Sequence, residues 1–353
     1  MVLTLSACGG GGGDGGGGFP IGFMPAPSDP APTPSNNPAP AATSRAPTAD
    51  AGTAQTGKTG DTFTLDGSAS SDPDGDTLMF SWTLTSIPAG SLATLTDADK
   101  VKSSFVPDKS GTYIATLTVH DGTVSSSAST VTLTVDASQF TAFDSMPSPF
   151  PPNMPSIAFQ ATQRSSVGDT VNLVSGTPRA LHAVSVAMSS WACESGEWSL
   201  GNCATTPGAT FNHPITIQLY DAANQPIGTA TRTVAVPYRP SFDATCGNNT
   251  QWKAANGTCY NGFAFKVEFD LSAQDITLPD TFSYDIVYNT NSYGPSPIGT
   301  PGAYDSLNVG VYQAPTLPFI GTQGTPGTMR WNGGGSLAGS GLNIMATVVT
   351  RTP

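Results

Sequence analysis

The sequence predicts an all-β protein. An N-terminal β-sandwich is followed by a larger C-terminal antiparallel β-sandwich, jelly-roll-like in its number of strands, and both stand behind a disordered N-terminal stalk. Three observations carry this. Glycine (39) and proline (31) make up about a fifth of the 353 residues, a composition that makes many turns and few helices. Short runs alternate apolar and polar residues with period two, as half-buried strands do. Between those runs stand turn residues, and no apolar repeat of helical period has useful length.

Charge and hydropathy narrow the function. Only 11% of residues are charged and the net charge is −12. Nucleic acid needs basic patches for its phosphates, so it is not an expected partner. Docking on anionic lipid through a polybasic face is excluded in the same way. No stretch of eighteen apolar residues occurs, so no transmembrane helix is expected.

The chain opens Met1-Val2-Leu3-Thr4-Leu5-Ser6-Ala7-Cys8-Gly9. Leu5-Ser6-Ala7-Cys8 resembles a bacterial lipobox. The resemblance implies that the Cys8 thiol carries diacylglycerol, that the peptide before it is removed, and that the membrane is held through this anchor. Gly9 in place of Asp implies the outer membrane of a Gram-negative cell. The leader departs from the pattern: it has no Lys or Arg and a short apolar run, so the true start is expected upstream. Residues 9–18 are glycine except Asp14 and have no side chains to bury. From Pro20 to Pro47 prolines recur at alternate positions, which favours polyproline II. About 28 residues at ~3.1 Å each would span roughly 85 Å. Residues 9–46 are therefore read as a stalk.

The first folded unit is expected over 47–137. Its alternating runs are Thr62–Leu65, Leu78–Leu84, Tyr113–Val119 and Thr130–Val135. A Trp on an early central strand (Trp82) and Gly111-Thr112-Tyr113 near a late one suit an Ig-like sandwich with a tyrosine corner. Ala46-Pro47-Thr48-Ala49-Asp50-Ala51-Gly52, the stretch from Asp66 to Trp82, and Gly111 to Asp121-Gly122 together resemble PKD domains of bacterial surface proteins. Eleven aspartates face four lysines in this unit, so it is strongly acidic. Asp72, Asp74 and Asp76, with Asp121, are oxygen ligands of the kind calcium takes, and some PKD domains bind calcium at one end. The same residues also suit the capping of turns. Calcium is the only cofactor the sequence suggests.

Residues 138–155 read as a Pro-rich linker, and 156–353 as the C-terminal all-β domain. Strands are expected at Thr170–Val174, Leu181–Met188, Ile215–Tyr220, Thr229–Val236, Phe263–Leu271, Phe282–Asn289 and Leu307–Tyr312, with Ile344–Val349 as an added edge. The remaining cysteines form two close pairs, Cys193 with Cys203 and Cys246 with Cys259, with nine and twelve residues between partners. Zinc knuckles need two to four. In an exported chain such pairs read as local disulfides, each contributing about 3 kcal/mol. Trp191, His213-Pro214-Ile215-Thr216, Tyr220-Asp221, Val236-Pro237-Tyr238-Arg239-Pro240, Trp252-Lys253-Ala254, Cys259-Tyr260-Asn261-Gly262 and Asn289-Thr290-Asn291-Ser292-Tyr293-Gly294 resemble a recurring domain of exported bacterial proteins to which no activity is attached. The Cys193–Cys203 pair is not part of that resemblance.

No catalytic constellation emerges. His120, His182 and His213 are scattered, with no H-E-x-x-H and no G-x-S-x-G. Glu194 and Glu197 lie on one small loop, a poor arrangement for a glycosidase. Trp191, Trp198 and Trp252 have two readings: platforms on which a sugar stacks, or plugs for the open ends of the sandwich. The expected function is a non-enzymatic surface lipoprotein with a structural, adhesive or protein-interaction role. A carbohydrate-binding module is the alternative.

Overall fold

A computed structural model of the chain describes residues 43–158, 166–247, 250–288, 307–313, 318–326, 328–331, 335–337 and 341–353. Cys8, the stalk up to residue 42 and the run 289–294 lie outside them. Among the described residues the regular elements are strands and two short 3-10 turns, with no α-helix.

The N-terminal unit contains β1 (Gln55–Lys58), β2 (Phe63–Asp66), β3 (Met79–Ser86), β4 (Lys102–Phe105), β5 (Gly111–His120) and β6 (Ser129–Asp136). One sheet runs β1-β6-β5-β3, with β1 parallel to β6; β2 and β4 pair antiparallel as a second layer. Period two explains the packing. On β5, Tyr113, Ala115, Leu117 and Val119 are buried, and on β6, Val131, Leu133 and Val135 are. They close on Phe63, Leu65, Trp82 and Phe105. Fully burying one such side chain stabilises by about 1.5–3 kcal/mol. Trp82 is buried and its indole N–H donates to the Lys100 carbonyl at 3.2 Å. The Tyr113 hydroxyl donates to the Lys109 carbonyl at 3.0 Å, the tyrosine corner expected from Gly111-Thr112-Tyr113.

Only Ala137 and Ser138 separate β6 from β7 (Gln139–Asp144). The stretch from 138 was expected to be linker, yet it starts with a strand. The prolines begin only at Pro147, and Ala142 and Phe143 before them bury completely. Ser138 Oγ donates to the Thr59 carbonyl at 2.7 Å, and the Ser110 N–H donates to the Pro353 carbonyl at 3.2 Å. The joint between the sandwiches is thus hydrogen-bonded on two sides.

The C-terminal domain continues with β8 (Ser156–Ala158), β9 (Ser166–Asn172), β10 (Ala180–Ser190), β11 (Thr210–Tyr220), β12 (Pro226–Pro237), β13 (Trp252–Lys253), β14 (Cys259–Tyr260), β15 (Phe263–Asp270) and β16 (Thr281–Tyr288). It ends with β17 (Leu307–Gln313), β18 (Thr322–Gln323), β19 (Met329–Trp331), β20 (Gly335–Leu337), β21 (Leu342–Ile344) and β22 (Ala346–Arg351). Sheet one runs β21-β17-β10-β22-β7, with β15 also on β10 and β8 on β17; sheet two runs β12-β11-β16-β9-β19-β20, with β18 also on β9. Residues of both sheets, among them Val184, Val186, Val267, Phe269, Ile215, Ile217, Phe282 and Ile286, share one core. The segment expected as an added edge, Ile344–Val349, is interior instead: β22 lies between β10 and β7. Its alternate residues Ala346 and Val348 are fully buried, and β7, hidden inside the expected linker, takes the edge.

Candidate functional site

Two loops cross between the sheets of the C-terminal domain at the same end. Residues 191–209 lead from β10 to β11, and 238–262 lead from β12 to β15. The register places their roots together: Ser190 is opposite Phe263, and Thr210 is opposite Pro237. Loops of 19 and 25 residues would be costly to order by hydrogen bonds alone. Each carries a disulfide. Cys193–Cys203 and Cys246–Cys259 have Cα separations of 5.4 and 5.8 Å, the pairing expected from sequence proximity. Cys193, Cys203 and Cys246 are buried, so these sulfurs hold structure rather than face solvent.

The loops are also tied to each other. The Phe242 N–H donates to the Cys203 carbonyl at 2.9 Å, and the Thr205 N–H to Ser241 Oγ at 2.9 Å. Between them lies Arg239, fully buried. Its backbone N–H donates to Ala192 O at 2.9 Å and its Nη2 to Thr250 O at 2.6 Å. The side chain thus reaches across its own loop to Thr250, while the backbone N–H of the same residue joins that loop to Ala192 of the other.

This framework presents an open groove. One part, ≈ 430 Å³, is lined by Pro207, Pro237, Tyr238, Pro240, Ser241 and Phe263 among others. A second part, ≈ 530 Å³, shares Thr205, Pro207 and Ser241 with it and adds Glu194, Ser195 and Thr206. The Tyr238 ring packs on Phe211 with centroids 4.9 Å apart, which fixes its orientation. The groove therefore runs from an aromatic and proline-lined floor to a hydroxyl-rich rim. Its one carboxylate, Glu194, accepts the Thr206 N–H at 2.6 Å. Tyr238 and Arg239 were quoted in the sequence only as part of a resemblance; an aromatic and an arginine between two prolines directly after a strand is the signal that could have singled them out.

The expected aromatic platforms lie elsewhere. Trp252 is 5% exposed, lies 5.6 Å from Tyr260 and 5.5 Å from Phe263, and its indole N–H donates to Gly262 O at 2.8 Å. It has no face left for a sugar to stack on, which corrects its reading as a platform and makes it a plug. Trp191 meets Trp198 edge to face at 4.9 Å, and both are half-buried. Gly262 lies against the Trp191 indole so closely that any Cβ would collide with its Nε1 and with Ser189 Oγ.

The acidic loop of the N-terminal sandwich is a capped turn. Asp72 Oδ1 accepts the N–H groups of Asp74 (2.8 Å) and Asp76 (3.1 Å), and Gly75 at φ +83° closes the turn. Asp74 is paired with Arg45, whose Nε lies 2.9 Å and backbone N 2.7 Å away. Asp121 accepts the N–H groups of Thr123 and Val124, both at 2.6 Å, and the Ser44 hydroxyl at 2.8 Å. Arg45 holds the Asp74 carboxyl below its usual range, and the Val124 and Thr123 amides bring Asp121 down to about 2. Ser44 and Arg45 were expected to belong to the stalk; they instead supply a hydroxyl and a cation to this turn. Among the described residues no group of three or more His, Cys, Asp or Glu side chains is arranged to hold a metal ion.

The histidines do not converge. The Gly122 N–H donates to His120 Nδ1 at 2.7 Å, and His182 Nε2 lies 2.9 Å from the Gln139 amide nitrogen. His213 is buried between Phe211 and Tyr288, and burial brings it down to about 4.

Comparison with known proteins bears on the N-terminal unit. Residues 51–135 match a family model that describes a PKD domain. No curated protein matches the chain. Among solved structures, the PKD domain from KIAA 1837 protein is 32% identical over 28% of this chain and 92% of its own, with a TM-score of 0.23. A nucleoside hydrolase-related hypothetical protein from Saccharophagus degradans, described as associated with carbohydrate metabolism, is 22% identical over 26% of either chain, again with a TM-score of 0.23. Human protocadherin-24 EC1-2 is 11% identical over 56% of this chain and all of its own, TM-score 0.23. The family match, together with buried Trp82 and the Tyr113 corner, makes residues 51–135 a PKD domain within a longer chain.

Proposed function

We propose that this chain is a non-enzymatic surface protein. A lipid anchor on Cys8 holds it to the bacterial outer membrane, and it engages a surface partner through the groove at the stapled end of its C-terminal domain. The observation that carries the reading is the groove itself: two disulfide-closed loops, hydrogen-bonded to each other through Arg239 and Ala192, Phe242 and Cys203, and Thr205 and Ser241, frame a floor of Tyr238, Phe263 and prolines. Rigid loops ordered in advance lower the entropic cost of binding. Aromatic and proline-lined grooves suit extended, proline-containing peptides. The PKD domain acts as a spacer in the same surface module. Glycan binding is the second reading, favoured by the hydroxyls of Thr205, Thr206 and Ser241 beside the Tyr238 ring.

The test uses cells carrying the full chain. Adhesion to other cells or to surface proteins should fall at least about tenfold with Tyr238→Ala, the loss of roughly 1.4 kcal/mol or more expected of an aromatic anchor. A glycan array should show no binding if the peptide reading holds. Unchanged adhesion with the variant displayed at normal level refutes the groove. Labelling with a radioactive fatty acid should mark the wild type and not Cys8→Ala; equal labelling refutes the anchor.

A further inference from the structure

The strand ends decide which way the groove is presented. In the PKD domain, Met79 of β3 lies opposite His120 at one end of β5, and Val135 of β6 lies opposite Gly111 at the other. The chain enters at the His120 end: Ser44 Oγ donates to Asp121 at 2.8 Å, and Arg45 Nε donates to Asp74 at 2.9 Å. The second sandwich starts from the Gly111 end, where β6 finishes at Asp136. In that sandwich Gln139 of β7, Arg351 of β22 and Ala180 of β10 are in register at the end next to the joint. Ser190, at the other end of β10, stands opposite Phe263 of the groove. Within residues 44–353, the point of entry and the groove are therefore at opposite ends. Both disulfides are at the free end as well, where the loops are farthest from the support of the joint.

Domains tied by an ordinary linker move against each other. Here Ala137 and Ser138 alone connect β6 to β7, and Ser138 is bonded to both sandwiches. Its N–H donates to Thr352 Oγ1 at 3.0 Å, and its carbonyl accepts the Thr352 N–H at 2.9 Å. Its hydroxyl donates to Thr59 O at 2.7 Å, and the Thr59 N–H donates to Asp136 O at 2.9 Å. The bond from the Ser110 N–H to Pro353 O braces a second point of the same joint. The ten residues of β5 and the eleven of β10, at ~3.4 Å each, set the two ends roughly 70 Å apart.

We propose that residues 44–353 form one stiff rod that carries the groove at the end away from the N-terminal attachment, so that the groove meets an extended, proline-containing segment on an opposing surface rather than one on its own membrane. This rests on the reading of the groove as the binding face. A partner beside the protein on the same membrane would lie near the entry end, about the length of the rod from Tyr238. A partner on a facing cell or surface is met by the free end first, with the loops already ordered by their bridges.

Two measurements test it. Nitroxides carried on a genetically encoded keto amino acid at Thr123 and Thr206, both exposed, leave the cysteines untouched. Pulsed electron paramagnetic resonance on the full chain should give one narrow distance near ~70 Å. A mean below about 50 Å, or a broad spread, overturns the rod. Benzoylphenylalanine at Thr206, in cells carrying the full chain, then reads the direction. Its photo-adduct should form in packed cells and be lost in dilute suspension, where no opposing surface is near. An adduct equally strong at both densities puts the partner on the same cell and overturns the proposal while leaving the groove as a binding face. No adduct at either density overturns the groove reading and the proposal with it.

Discussion

Replacing Cys193 and Cys203 together by alanine tests how the stapled end of the C-terminal domain is held. Alanine is the right probe because both sites are 3% exposed, and a serine hydroxyl there would add the cost of an unpaired polar group. The bridge spans a sequence separation of 10. In the chain-entropy model its removal costs about 2.8 kcal/mol, and that of the Cys246–Cys259 bridge, with a separation of 13, about 3 kcal/mol. For a domain of some two hundred residues, the first loss lowers the melting midpoint by about 6–10 °C. Calorimetry on the full chain, under non-reducing conditions, measures it. The two bridges should also be non-additive. The loops they close share the Phe242–Cys203, Thr205–Ser241 and Arg239–Ala192 hydrogen bonds, so freeing one loop already loosens the other. A midpoint lowered by under 2 °C, or a four-cysteine variant whose loss equals the sum of the two pairs, would refute the picture of one jointly braced face.

Three further outcomes are expected. Tyr113→Phe removes the corner hydroxyl from Lys109 O and Ser91 Oγ and should cost about 1–2 kcal/mol, seen as a lower urea midpoint for the PKD domain. Asp121, with its folded value near 2 against 3.8 unfolded, contributes stability that is present above about 3.8 and lost as pH falls through 2. Protection of the Thr123 and Val124 amides should therefore drop between pH 4.5 and pH 2.5, and Asp121→Asn should flatten that drop. Because Arg45 and the turn N–H groups already relieve the repulsion among Asp72, Asp74 and Asp76, melting of the PKD domain should be the same in millimolar calcium as in chelator, and a higher midpoint in calcium would show that the ion displaces Arg45.

Much of the N-terminal fold was legible because its strands each have one buried face. Tyr113 to Val119 and Val131 to Val135 alternate cleanly, and the Trp82 and Tyr113 positions have chemical reasons that sequence shows directly. The C-terminal domain was harder where burial is two-sided. β9 and β16 are buried on both faces, so period two fades, and β9 was expected four residues too late. Proline misled in one place: its density from Pro147 onward drew the linker back over β7. The disulfide pairs could be read from proximity. The groove could not, because Tyr238 and Arg239 gain their roles from two loops 29 residues apart at their nearest roots, and nothing local marks that meeting.

The most direct test of the account places a photo-crosslinking residue, benzoylphenylalanine, at Thr206 on the groove rim and, as a control, at exposed Thr83 of the PKD domain, in cells carrying the full chain. Irradiation should give a discrete higher-mass adduct from position 206 that weakens when Tyr238→Ala is added, and no such adduct from position 83. Adducts of the same kind from both positions, or none from position 206, would contradict the claim that the stapled end of the C-terminal domain is where this protein meets its partner.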